Sequence, residues 1–364
     1  MAGYPTANRY MTIWRWLICL TGSLLILIIF IKDPRIDGYS KAMVGDMIYG
    51  RAHKPFVCRM LLPLTARVIT QMVPDPAKVW LYTTIGSAPR VQAIFRQYRW
   101  QMKYLVEYLV AFSLIYACLV GFFWSLRRLC QELYLAPSLF YDGLALLALL
   151  GLPIMFRHYN YLYDMPTLFL FTLGLALLAA SRWFFFTLVY LAGCFNKETT
   201  ILLSGVFWLH YRQAAKLPKK SFWQLLLLQL LLFLLVRLVI AGLFAENPGE
   251  FLQFRIFEHN LALLKAYSWP TGLAVLTLFL LVARKWSEKP LFLRDAIWIL
   301  PPLLGLTCLF GWLEELRDYY EAYPIIVLLL APTLAEILGY SSHPRDSLGV
   351  GSIRKQTGAD PAQA

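Results

Sequence analysis

Long apolar runs separated by short charged loops recur along the chain, and about 17 to 25 such residues are what an α-helix needs to cross a bilayer. They fall near 14–31, 104–126, 136–156, 165–181, 221–245, 269–283, 295–312 and 322–339, with a longer one at 183–211. In lipid every backbone donor needs a partner within the protein, which for runs of this length means a helix. The expected fold is therefore all-α, a polytopic bundle of about ten transmembrane helices. Of 364 residues, 59% are hydrophobic and 15% charged, leaving little material for a soluble domain. The formal charge of +13 is scattered over loops rather than gathered on one face, which points to membrane lipids and anionic substrates and not to nucleic acid.

The run at 183–211 is the informative one, because Asn196-Lys197-Glu198-Thr199 interrupts it at the middle. At 1.5 Å per residue it is about 44 Å long, too long for one crossing and too short for two full ones. Loop charge separates one long helix from two short ones. With two, the basic loops at Arg127 and Arg128, at Arg182, at Arg212 to Lys220 and at Arg284 to Arg294 all fall on the cytoplasmic side, together with both termini. With one, the basic loops after Arg212 and Arg284 face outward, against the positive-inside rule. Two short helices meeting at the knot are expected. Most acids then face outward, among them Asp37, Asp164, Glu198, Glu315 and Asp318.

A single transmembrane domain is expected over 1–340, including a long outer loop at 32–103, followed by a disordered cytoplasmic tail at 341–364 rich in Ser, Gly and Pro. In the long loop Phe56, Val57, Met60, Leu61, Leu64 and Val68 recur at helical spacing, with Arg59 and Arg67 on the other side; this reads as an interfacial helix. A second amphipathic piece is expected around 250–267. The first run follows Arg9 and Arg15 as a signal sequence would, but no small-residue cleavage site follows it, so it is expected to stay as an anchor. Five of the six cysteines lie in or beside apolar runs and only Cys58 falls in a clear loop, so neither a disulfide framework nor a zinc site is expected.

The candidate site residues lie on the outer side. Asp37, in Ile36-Asp37-Gly38, reads first as a cap of the next helix and second as a base that takes a proton from a hydroxyl, with Asp46 as its alternate. Arg59 can grip a phosphate bidentately or reach lipid headgroups. Asp164, before Met165-Pro166, reads first as a helix N-cap with proline in the first turn and second as a binding residue. In the knot, Asn196 is expected to cap the second short helix, while Lys197 and Glu198 neutralise each other or other elements. An anion can also dock at that helix start with help from Lys197. Arg317 lies in the charged loop Glu314 to Glu321, directly at a membrane boundary, where a solvated loop is the ordinary reading and a phosphate or sugar contact the sharper one.

Together, the early acid of the outer loop, Lys54-Pro55-Phe56-Val57-Cys58-Arg59, Tyr163-Asp164-Met165-Pro166, Asn196-Lys197-Glu198-Thr199 and Glu315-Leu316-Arg317 resemble bacterial polytopic glycosyltransferases of the GT-C type. Two positions depart from the pattern: Lys197 stands where arginine is expected, and Gly38 follows Asp37 where a second acid is common. The resemblance implies a polyprenyl-phosphate-linked sugar donor, a glycan or lipid acceptor and a site on the outer face of the cytoplasmic membrane, in cell-envelope or exopolysaccharide synthesis. It makes Asp37 the base and gives Arg59, Lys197 and Arg317 the phosphate leaving group to hold. No cofactor is implied. A flippase or transporter of lipid-linked glycans, or a non-catalytic subunit of a polysaccharide assembly complex, are the alternatives.

Overall fold

The computed structural model describes residues 5–33, 36–212, 217–251, 254, 260–262, 268–340 and 342–345. In chain order the helices are α1 (Pro5–Lys32), α2 (Val44–Ile48), α3 (Leu61–Met72), α4 (Asp75–Trp80), α5 (Pro89–Tyr98), α6 (Leu105–Leu133), α7 (Ser138–Gly151) and α8 (Asp164–Ala179). They continue with α9 (Trp183–Asn196), α10 (Leu202–Tyr211), α11 (Lys219–Leu243), α12 (Trp269–Ala283), α13 (Leu291–Ala296), α14 (Leu300–Phe310) and α15 (Tyr323–Ile337). The one sheet among the described residues is a pair of two-residue strands, Tyr134–Leu135 against His343–Pro344. The chain is thus all-α, and each expected apolar run is helical.

Among the described residues, five stretches are long and apolar enough to cross a membrane: Tyr10–Lys32, Met102–Leu133, Ser138–Met155, Lys219–Leu243 and Leu291–Phe310. Helices α8, α9, α12 and α15 are apolar but shorter. Helix α6 is the centre of the bundle, burying Ala111, Ile115, Leu119, Phe122 and Leu126 at three- and four-residue intervals against α1, α7 and α8. Its Gly121 lets α8 in: a Cβ there would stand 2.6 Å from the Phe169 ring. Small residues serve this purpose in lipid, where close backbone approach replaces the hydrophobic effect as the source of helix association. Away from the core, α11 turns Leu227, Leu231, Leu234 and Leu238 outward, as a surface bathed in acyl chains does.

The long run at 183–211 folds as two antiparallel helices. Trp183, at the start of α9, meets Tyr211, at the end of α10, with ring centroids 4.9 Å apart, and Ser204 Oγ lies 3.0 Å from Tyr190 Oη. The turn between them is tight, since a Cβ on Gly193 would come within 2.8 Å of Thr200. The 14 residues of α9 span about 21 Å, short of the roughly 30 Å of a hydrocarbon core.

The long loop at 32–103 differs from expectation. No single helix runs from Phe56 to Val68: a 3-10 turn covers Phe56–Cys58, Arg59 and Met60 are non-helical, and α3 begins only at Leu61. Tertiary contact overrides the periodicity, because the Met60 N–H is taken by the Phe195 carbonyl at the end of α9. Helix α3 buries Leu62, Ala66 and Thr70 in the bundle and leaves Leu64 and Val68 exposed. Most of the amphipathic piece expected at 250–267 lies outside the described residues, as does 346–364. His343 and Pro344, expected in a disordered tail, instead pair with Tyr134–Leu135 just after α6, and the Arg345 N–H donates to Leu133 O. The six cysteines are free thiols.

Candidate functional site

The site is assembled at the turn of the α9–α10 hairpin. Helix α9 ends because the chain straightens at Lys197 (φ −153°, ψ 144°) before the 3-10 turn Glu198–Ile201. Asn196 does not cap α10, contrary to expectation. Its buried amide donates to Tyr163 O at 3.0 Å and to Thr167 Oγ1 at 2.8 Å, tying the turn to the start of α8. Lys197 and Glu198 likewise do not pair with each other, because extended backbone sends their side chains opposite ways. Lys197 Nζ meets Glu321 Oε1 at 3.1 Å, with both side chains buried, and Thr199 Oγ1 donates to the same carboxylate. Glu198 meets Arg59 at 2.7 Å and Arg237 at 3.8 Å, and 45% of its side chain remains exposed.

Arg237 escaped the sequence reading, although the signal was there: a lone arginine in the leucine-rich α11 needs a partner at membrane depth. It has two, Glu198 and the Cys194 carbonyl. Glu321 ends the charged loop that starts at Glu314, and nothing local distinguishes it, since its partner lies 124 positions earlier in the chain (321 − 197).

Two tyrosines carry the arginines. Tyr161 and Tyr163 stack with centroids 5.3 Å apart and planes 6° from parallel; Arg317 lies 4.3 Å from the centroid of the first and Arg59 4.3 Å from that of the second. A flat guanidinium on a ring face gains cation–π attraction that an ammonium would use less well. Burial works against the charge on Arg59, but Glu198, Tyr163 and Asp318 more than offset it and hold its proton more firmly than usual. The same balance, with Tyr163, Asp164 and Glu315 as the offsetting groups, applies to Arg317. Glu315 accepts from Arg317 Nε at 2.9 Å.

These residues face a cavity of about 580 Å³. Arg59, Lys197, Glu198 and Arg317, four of the six residues singled out from the sequence, line it. Its aromatic side continues through Phe56, 5.1 Å from Tyr161, to Tyr39 and Tyr159. Its apolar wall is one face of α14, with Leu303, Leu306 and Phe310. Arg157 also lines it and makes no hydrogen bond or ion pair among the described residues, whereas Arg59 Nε is buried without an acceptor among them. The cavity thus offers donors for an anion beside aromatic and aliphatic surface. No group of three or more His, Cys, Asp or Glu with metal-holding geometry occurs among the described residues.

The other two residues stay out of the lining. Asp164 is the first residue of α8 rather than its N-cap; its buried Oδ2 accepts the Tyr161 N–H at 2.8 Å and shapes the turn that presents both tyrosines. Asp37 takes the capping role rather than a place at the cavity. Its backbone is left-handed (φ 68°), its Oδ1 accepts the Val44 N–H at 2.5 Å at the start of α2, and its Oδ2 accepts from Tyr108 Oη. Burial raises its affinity for a proton, which those two donors partly offset. Asp46, the alternate, is partly exposed and pairs with Arg51 at 3.4 Å. Comparison with family models, with curated proteins and with solved structures gives no match to this chain.

Proposed function

We propose that this chain is an integral membrane glycosyltransferase that moves a sugar from a polyprenyl-phosphate-linked donor to a glycan or lipid acceptor, on the outer face of a bacterial cytoplasmic membrane with both termini inside. The observation that carries this reading is one cavity that joins tyrosine-borne guanidiniums to an apolar helix face. A lipid phosphate needs both: the isoprenoid chain lies along Leu303, Leu306 and Phe310 of α14, and the phosphate lies between Arg59 and Arg317. The sugar then rests on the aromatic side, at Tyr161, Phe56 and Tyr39.

In this reading the acceptor oxygen attacks the anomeric carbon, and the bond from that carbon to the phosphate oxygen breaks. Arg59 and Arg317 stabilise the charge that develops on the leaving phosphate, an electrostatic contribution made by groups already held in place. Glu198 and Glu315 orient the two arginines. Lys197, neutralised by Glu321, holds the hairpin turn at the cavity floor.

The test is direct transfer. Protein purified into lipid nanodiscs is given a panel of radiolabelled polyprenyl-phosphate sugars with a membrane glycolipid extract. Saturable binding of the donor, lost in Arg59→Ala, and label appearing in acceptor are the expected results. Neither binding nor transfer with any member of the panel would overturn the proposal.

A further inference from the structure

We propose that Asp318 is the general base of this cavity; the assignment rests on the glycosyl-transfer reading. Three carboxylates lie in the lining, and two of them are occupied. Glu198 is held by Arg59 and Arg237, and Glu315 by Arg317. A carboxylate gripped by guanidiniums is a poor proton acceptor, because its charged form is already stabilised. Asp318 has no hydrogen bond or ion pair through its side chain among the described residues.

Its position is built rather than incidental. Gly311 and Asp318 face each other where the chain leaves α14, and a Cβ on residue 311 would come within 2.6 Å of Asp318 Oδ2. The glycine therefore leaves room for the carboxylate at the wall. The segment around it is fixed by Asn260, whose amide donates to the Cys308 and Gly311 carbonyls at 2.7 and 3.0 Å and whose Oδ1 accepts the Leu313 N–H at 3.2 Å. Asp318 also acts electrostatically on Arg59, which sets it near the proposed phosphate grip. Asp37 has none of these properties, with both oxygens engaged behind the wall.

The step balances without a further reagent. The acceptor O–H gives its proton to the Asp318 carboxylate while its oxygen bonds to the anomeric carbon. The carbon–oxygen bond to phosphate breaks with its electron pair going to the phosphate, and the proton on Asp318 later passes to water.

The experiment compares wild type, Asp318→Asn and Asp318→Ala in nanodiscs with a donor that wild type turns over, scoring thermal midpoint and polyprenyl-phosphate binding alongside rate. Asp318→Asn is expected to lower kcat by about 10²- to 10⁴-fold with donor KM within about threefold. Azide is a nucleophile that needs no base, so with Asp318→Ala it is expected to yield the glycosyl azide at a restored rate. If the asparagine variant fails to fold, Asp318→Glu, which keeps the carboxylate, is expected to retain at least about a tenth of the wild-type rate, on the same proton-transfer scale. Turnover by Asp318→Asn close to wild type, or loss in Asp318→Ala that azide does not restore, overturns the assignment alone. Wild type that turns over no polyprenyl-phosphate sugar overturns the parent reading and this assignment with it.

Discussion

Two carboxylates in this bundle are each flanked by a pair of arginines, and the bundle uses them in opposite ways. Asp142 on α7 accepts Arg15 Nε of α1 at 2.8 Å and Arg127 Nε of α6 at 2.5 Å, and both arginines also donate to Ser138 Oγ. Its side chain is 4% exposed. Glu198 has the same company in Arg59 and Arg237 but is 45% exposed and borders the cavity. The first cluster spends its hydrogen-bonding capacity on joining three long helices. The second lines the cavity, as does Arg157, which makes no hydrogen bond or ion pair among the described residues. What marks a site is a charged side chain that borders a space, not a carboxylate held between arginines as such.

The comparison can be broken most easily at its sealed end. Asp142→Ala strands two guanidiniums where three helices meet, and about 3–5 kcal/mol of stability is expected to go with it. Thermal unfolding of the detergent-solubilised protein measures this; a loss under about 1 kcal/mol would put Asp142 in the same class as Glu198.

At the open end the larger effect should fall on activity. Arg59→Lys keeps the charge but loses the fork and the flat stacking on Tyr163, so donor transfer is expected to fall by about 10- to 100-fold with little change in melting temperature. Equal activity in the two proteins would remove Arg59 from the phosphate grip. Glu198→Gln is the direct counterpart of the Asp142 change, and because the Glu198 carboxylate is nearly half open to solvent its stability cost is expected to stay within about 1 kcal/mol. A cost as large as that at Asp142 would erase the distinction between staple and site.

The smallest effect concerns Asp37. Its folded-state proton affinity is raised above the ordinary value of 3.8, chiefly by burial. The folded chain therefore binds that proton more tightly than the unfolded chain. Its stabilising contribution is full below the unfolded value and is lost as pH rises through the folded one. Thermal midpoints measured upward from about pH 4 should decline with a slope that Asp37→Asn flattens, while transfer activity stays within severalfold of wild type. A collapse of transfer in Asp37→Asn with the slope unchanged would return the base role to Asp37.

Much of this architecture was legible before any coordinates. The apolar runs are helical where hydropathy put them, and loop charge required a break at Asn196 to Thr199 that the structure contains as a hairpin turn. Four of the six residues chosen as a site converge on one cavity. Partner choice was not legible, because it joins positions far apart in sequence: Glu198 with Arg59, Lys197 with Glu321, Asp142 with Arg15. Asp37 illustrates the limit, since an acid after a span reads alike whether its oxygens meet a substrate or the Val44 N–H and the Tyr108 hydroxyl.

The sequence by itself determined that this chain forms apolar helices broken by charged loops, because backbone groups in lipid must be satisfied within helices. Only the tertiary structure decided which charges neutralise one another and which remain open. That depends on helix approach at Gly121 and Gly193 and on the straightened backbone at Lys197, and it is why Glu198 and Asp318 face the cavity while Asp37 and Asp142 are locked into the frame.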